Sequence, residues 1–286
     1  MRKTLTFASL AVAIALLPGV LSHLLAAPEG ITRTLYVTVT DNKGAPVADL
    51  TAADFAVKEG GKAREIAKAE KATAKMRTAL MVDERLIGDG SIRNGIFEFM
   101  KRMVSSSEFA LIVVGLRNET VVDYTTDLNA MAAAINKFTL NPGRVSNISE
   151  SVLDVARKIA QQRSERPVII VVGLPGEGEV GSGSVNETLN ALRQSRAVLS
   201  AVTMVIATGG GEQILEEGAK QSGGRRVEIG VTTAIPKALQ QIADDLSAQY
   251  AVTYTVPDGV KPDKKVSVSL NRKGLSLRAP TAVPDK

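Results

Sequence analysis

A chain of 286 residues with 44% hydrophobic content is long enough to bury one large core or two small ones. It contains no cysteine and no tryptophan, and its single histidine, His23, lies near the N-terminus, so disulfides, thiol nucleophiles, cysteine zinc sites and the usual histidine general base are excluded from everything downstream. The formal charge of +5 is spread along the sequence and aromatic residues make up only 3%, a balance that argues against nucleic-acid binding.

The first segment, Met1-Arg-Lys followed by an apolar run from Leu5 to Leu17 and ending in Leu24-Leu25-Ala26-Ala27, reads as a signal peptide spanning residues 1–27. If it is not cleaved, the same segment is an N-terminal anchor, and membrane contact is expected only in that case. The expected location is periplasmic or secreted. Removal of Arg2 and Lys3 lowers the formal charge to about +3.

Residues 28–75 form an N-terminal β segment. Leu35, Val37 and Val39 alternate with Tyr36, Thr38 and Thr40, the period-2 pattern of a half-buried strand. A second strand runs from Asp54 to a turn at Gly60-Gly61, and a third covers Ala63 to Lys71. Residues 76–248 then alternate apolar strands with helical patterns. Strands are expected at Ala79–Asp83, Phe109–Leu116, Val121–Tyr124, Val168–Gly173, Val198–Ala207 and Val227–Ile229. Helices are expected at Ile92–Val104, Leu128–Phe138, Ser149–Gln162, Val185–Arg196, Gln213–Ser222 and Ala234–Ala248. Continuous runs such as Val168-Ile-Ile-Val-Val172 suit strands buried on both faces, so the expected fold is α/β, a doubly wound, mostly parallel sheet. The short turn between Val113 and Val121 marks one antiparallel edge. Residues 249–278 return to period-2 alternation around Pro257-Asp258-Gly259. A lone hairpin is marginal in water, so it is expected to pack with the N-terminal β segment, leaving the α/β domain inserted in or flanked by a small β module. Residues 279–286 read as a flexible tail.

Asp83 stands where an apolar strand ends, the position at which α/β sheets usually bind ligands. Gly176-Glu-Gly178-Glu-Val-Gly181 fits the G-x-G-x-x-G spacing, but it follows a late strand and its two glutamates repel a pyrophosphate, so it reads as a glycine-rich rim loop. No Gly-x-Ser-x-Gly occurs. Adjacent acids such as Glu216-Glu217 and Asp244-Asp245 diverge by about 100° on a helix and form no catalytic pair.

Four segments together resemble the bacterial secreted proteins related to von Willebrand factor type A (VWA) domains. They are Asp49-Leu-Thr-Ala-Ala-Asp-Phe-Ala-Val-Lys-Glu-Gly-Gly-Lys62, Leu215 to Arg225, Gln249 to Pro257 and Lys264 to Leu277. The resemblance implies a metal-ion-dependent adhesion site built from Asp-x-Ser-x-Ser after the first strand, a threonine on a second loop and an aspartate on a third. Asp83 matches the first ligand, but Arg85 and Ile87 occupy both serine positions. The second loop offers Ser149 or Glu150, and the third has Pro175 near the aspartate position. Mg²⁺ takes about six oxygen ligands, and a fixed guanidinium beside Asp83 opposes a dication. The site therefore reads as degenerate, with no cofactor.

The resemblance and the altered loop together imply a non-enzymatic, metal-independent module that binds a protein partner. Its rim would comprise Asp83, Glu84, Arg85, Asn147, Ser149, Glu150, Gly176 and Glu177, with Arg85 offered to a partner carboxylate. Two other readings stay open: a purely structural envelope protein with an idle rim, and a small-molecule or anion-binding protein using the glycine-rich loops.

Overall fold

The computed structural model describes residues 30–137, 146–174, 185–204 and 210–284. In chain order, β1 (Gly30–Asp41), β2 (Phe55–Glu59) and β3 (Lys62–Lys71) come first. The α/β alternation begins with β4 (Met76–Asp83), α1 (Gly90–Met103), β5 (Ser107–Val114), β6 (Asn118–Thr125), α2 (Leu128–Ile135) and α3 (Ile148–Gln162). It continues with β7 (Arg166–Gly173), α4 (Val185–Ser195), β8 (Val198–Met204), α5 (Gly210–Ser222), β9 (Arg226–Ile229) and α6 (Ile235–Ser247). Three strands complete it: β10 (Gln249–Pro257), β11 (Val266–Leu270) and β12 (Leu275–Arg278).

The α/β sheet has the order β6-β5-β4-β7-β8-β9, parallel throughout except for β6. Alternate residues of β4 feed two cores. Leu80 and Val82 pack with Ile92, Ile96 and Met100 of α1 and with Leu239 and Ile242 of α6. Ala79 and Met81 pack with Val152, Val155 and Ile159 of α3 and with Ile214 and Leu215 of α5. Both faces of the sheet are thus covered, which is why its strands read as unbroken apolar runs. On the first face α1 and α6 approach so closely at Gly95 that a Cβ there would lie 2.9 Å from Cγ of Pro236.

The other six strands form an antiparallel sheet, β11-β2-β3-β10-β1-β12, assembled from both ends of the chain. Leu35, Val37, Val39, Phe55, Val57, Tyr250, Val252 and Val256 make its core. Glu59 is buried within it, accepting hydrogen bonds from the Tyr254 hydroxyl at 2.6 Å and the Asp263 amide at 2.7 Å, with Arg33 3.6 Å away. Burial, reinforced by that glutamate, pushes the Tyr254 hydroxyl well above the ordinary tyrosine pKa.

The opposite face of β1 meets the α/β domain, where the Thr38 hydroxyl and the Tyr36 ring face α6 and β7. Asp245 of α6 pairs with Arg225 (Nε at 2.5 Å) and with Arg278 of β12. Arg166, at the start of β7, is buried, and among the described residues no carboxylate pairs with it. Its Nη1 donates to the carbonyls of Ala72 (3.3 Å) and Ala74 (3.2 Å), and its Nη2 donates to Leu246 O (2.7 Å) and Gln249 Oε1 (2.9 Å). The Tyr36 ring lies 5.3 Å from the same guanidinium. One side chain therefore ties together both chain crossings between the modules.

The reading of residues 279–286 as a flexible tail is corrected over 279–284. The Thr281 amide donates to Gln221 O (2.9 Å), the Val283 amide donates to Lys264 O (2.8 Å), and Val283 is buried in the β-module core. Backbone pairing and an apolar anchor outweigh the helix- and strand-breaking effect of Pro280 and Pro284.

Two arginines hold left-handed backbone just after helices, Arg163 behind α3 (φ 50°) and Arg196 behind α4 (φ 58°). Glycine is the favoured residue there because it lacks the Cβ that crowds the carbonyl. Arg163→Gly and Arg196→Gly are each expected to stabilise the chain by about 0.5–1 kcal/mol, measured as a higher urea midpoint at unchanged slope.

Candidate functional site

The strand order reverses between β4 and β7, whose crossovers leave toward opposite faces and open a crevice at their C-terminal ends. Asp83 closes β4 on one side of that crevice and Leu174 follows β7 on the other. The amides of Leu86 and Ile87 both donate to the Asp83 carbonyl, at 2.9 and 3.1 Å, winding 83–87 into a single helical turn. That turn drives Ile87 fully into the core and folds Arg85 back over Asp83.

Asp83 is 1% exposed, and its carboxylate is satisfied on both oxygens. Oδ1 accepts from the Arg85 amide and from Arg85 Nε, both at 2.9 Å. Oδ2 accepts from Arg85 Nη2 (2.6 Å), the Ser146 hydroxyl (2.9 Å) and the Leu174 amide (3.3 Å). Arg85 Nη2 also reaches Ser146 Oγ at 2.8 Å and the Leu174 carbonyl at 2.5 Å. Its side chain is only 13% exposed. A two-pronged guanidinium–carboxylate pair with added hydrogen bonds is the arrangement that makes a buried charge tolerable. The guanidinium thus links three loops that meet at the sheet's C-terminal edge.

Of the expected rim, the structure brings Asp83 and Arg85 together and adds Ser146, which sequence reasoning passed over in favour of Ser149 or Glu150. Only loop register separated these candidates, and hydrophobic periodicity does not fix register in a loop. Asn147 and Ser149 are buried. Asn147 caps α3, accepting from the Glu150 amide at 3.1 Å and donating to Glu150 Oε2 at 2.9 Å, while its own amide donates to Gly115 O at 3.0 Å. The expectation that Arg85 is presented to a partner is therefore corrected to an inward, structural placement, and Asp83, Asn147 and Ser149 are support rather than surface. Glu84 is half-buried, its carboxylate packed against Gly115, and Glu150 is exposed. Next to Gly115 in sequence, Leu116 is 66% exposed, a residue that no sequence pattern singles out. Gly176, Glu177 and Pro175 lie outside the described residues.

Among the described residues the oxygens beside Asp83 are already committed to Arg85. The octahedral shell needs oxygens converging on one point, and here the two oxygens of Asp83 and the Ser146 hydroxyl converge on a guanidinium instead. No group of three or more His, Cys, Asp or Glu able to hold a metal occurs among the described residues. Asp89, six residues after Asp83, caps α1 through the Ser91 and Ile92 amides. Its carboxyl is held below the usual range, chiefly by the Ser91 hydroxyl.

No family model matches the sequence, and no curated protein matches it significantly. The chain is similar to solved VWA-related structures. BatB from Bacteroides thetaiotaomicron is 18% identical over 59% of this chain and 97% of its own, with a TM-score of 0.44. The vWF domain of the type V pili tip protein Mfa5 from Porphyromonas gingivalis is 10% identical over 60% of this chain and 95% of its own, with a TM-score of 0.45. Proximal thread matrix protein 1 from the mussel byssus is 15% identical over 66% of this chain and 50% of its own, with a TM-score of 0.49. The α/β domain is thus similar to VWA-related structures, and in this chain Arg85 stands two residues after Asp83.

Proposed function

We propose that the chain is a non-enzymatic, extracytoplasmic protein-interaction module whose rim is organised by Arg85 rather than by a metal ion. The observation that carries this reading is the guanidinium itself, which joins the loops after β4, before α3 and after β7 through Asp83, Ser146 and Leu174. A rim already cross-linked by a fixed cation is rigid before any partner arrives, so less ordering is needed on binding. The leader-like first 27 residues support an extracytoplasmic location, and the lack of His and Cys after it supports a non-enzymatic role.

Leu116, two residues beyond the end of β5, supplies an exposed apolar anchor, so the favoured partner presents an apolar side chain there. Affinity capture from envelope extracts tests the reading. Leu116→Glu is expected to weaken capture of the partner at least about tenfold while leaving the melting temperature unchanged. If the variant retains the same partners at the same yield, the rim is not the binding surface. Millimolar Mg²⁺, Mn²⁺ or a chelator is expected to leave both melting and capture unchanged. Stabilisation at micromolar metal would show that a cation site exists.

A further inference from the structure

At the opposite pole from Asp83, the ends of α3 and α4 and the start of β8 stand apart from β1 of the β module. A cleft of about 420 Å³ lies between them, within the range of small-molecule sites. Half-buried Tyr36 and Leu189 give its lining an apolar part, beside polar residues such as Thr32 and Thr34. Its mouth carries the exposed arginines 163 and 196, the two residues held in left-handed backbone. Arg193 and Lys71 add two more cations to the lining, against two carboxylates, Glu70 and Glu165, while Arg33 is turned to Glu59 in the β-module core. Glu70 is already engaged by Lys68 at 2.7 Å. Among the described residues no ion pair holds Arg163, Arg196 or Lys71.

Both helix ends thus forgo the glycine that left-handed backbone favours, and both place a long cation at the same opening. A mixed lining with an apolar part beside exposed cations matches a ligand with an apolar body and an anionic head. We propose that this inter-module cleft binds a small organic acid of that kind, its carboxylate between Arg163 and Arg196 and its apolar body against Tyr36 and Leu189. Such a ligand touches β1 on one side and α4 on the other, so its binding stabilises the junction of the two modules. The site is separate from the rim, and rim variants leave it intact.

Decanoate is the probe, with decanol and inorganic phosphate as controls and an acetylated hexaglutamate peptide as the competing ligand class. Titration of the full chain, followed by calorimetry and by circular-dichroism melting, is expected to show saturable decanoate binding and a higher melting temperature. Decanol and phosphate are each expected to bind at least about tenfold more weakly. The Arg163→Gly/Arg196→Gly double variant keeps the backbone geometry, is expected to fold at least as well as the wild type, and should lose at least about tenfold in decanoate affinity. Thr34→Phe, at an exposed strand position lining the cleft, is expected to block binding sterically while both arginines remain. Equal affinity for decanol and decanoate, unchanged affinity in the double variant, or saturable binding of the peptide with decanoate silent would each overturn the proposal.

Discussion

Arg85→Ala is expected to destabilise the chain by about 3–5 kcal/mol, because it leaves the Asp83 carboxylate buried with no cation beside it. At about 2–4 °C per kcal/mol for a chain of this size, the melting temperature should fall by roughly 6–20 °C. The same truncation also frees Ser146 and Leu174 O, so the loops before α3 and after β7 lose their shared partner. Arg85→Lys keeps the charge but not the two-pronged geometry and should cost less, about 1–3 kcal/mol. Asp83→Ala/Arg85→Ala tests the attribution directly. The double variant should be more stable than the sum of the single losses predicts, since neither charge is then stranded. Simple additivity in urea unfolding would remove the buried pair as the cause.

The second large effect is expected at Arg166. Arg166→Met fills much of the same volume yet strands the carbonyls of Ala72, Ala74 and Leu246 together with the Gln249 side chain. An unsatisfied buried acceptor costs about 1–3 kcal/mol, and water reaching some of these groups lowers the total, so about 3–5 kcal/mol is expected. Burial pulls the guanidinium below its ordinary pKa, yet arginine remains charged at any accessible pH, so the effect should not vary across the neutral range. The distinctive readout is where the loss falls. Amide hydrogen exchange should accelerate first at residues 72–75 and 246–249, and melting should split toward two transitions as the modules uncouple. Uniform acceleration across both sheets would show that Arg166 supports the core generally rather than the crossings.

Much of the α/β domain is legible in the sequence because its signals are periodic. The apolar run at 168–172 announces a strand buried on both faces, and helices α3 and α6 carry clear one-sided apolar stripes. Strand starts read from the apolar pattern fall two or three residues late at Met76 and Arg166, since Arg77 and Arg166 interrupt that pattern while still pairing in the sheet. Asp83 is legible from its place after a strand. The inward turn of Arg85 is not, because it depends on the 83–87 hydrogen bonds and on a serine 61 residues further along. Ser146 and Arg166 share that difficulty. Each makes its contacts with backbone or side chains distant in sequence, which no local pattern encodes.

The strand order of the β module also constrains how the chain acquires its structure. In that sheet β1 lies between β10 and β12, and Gly30 is in register with Pro257. The earliest strand of the module therefore has no neighbour until the α/β domain and the strands beyond it have been delivered. In a chain that emerges from its N-terminus, Leu35, Val37 and Val39 are an unpaired apolar ribbon for most of that passage, a hazard for pairing with other copies. Closure of such distant ends is slow, so the α/β domain is positioned to fold first and to hold the two crossings together. The arginine that spans those crossings then does kinetic service as well, bringing the last strands to the first.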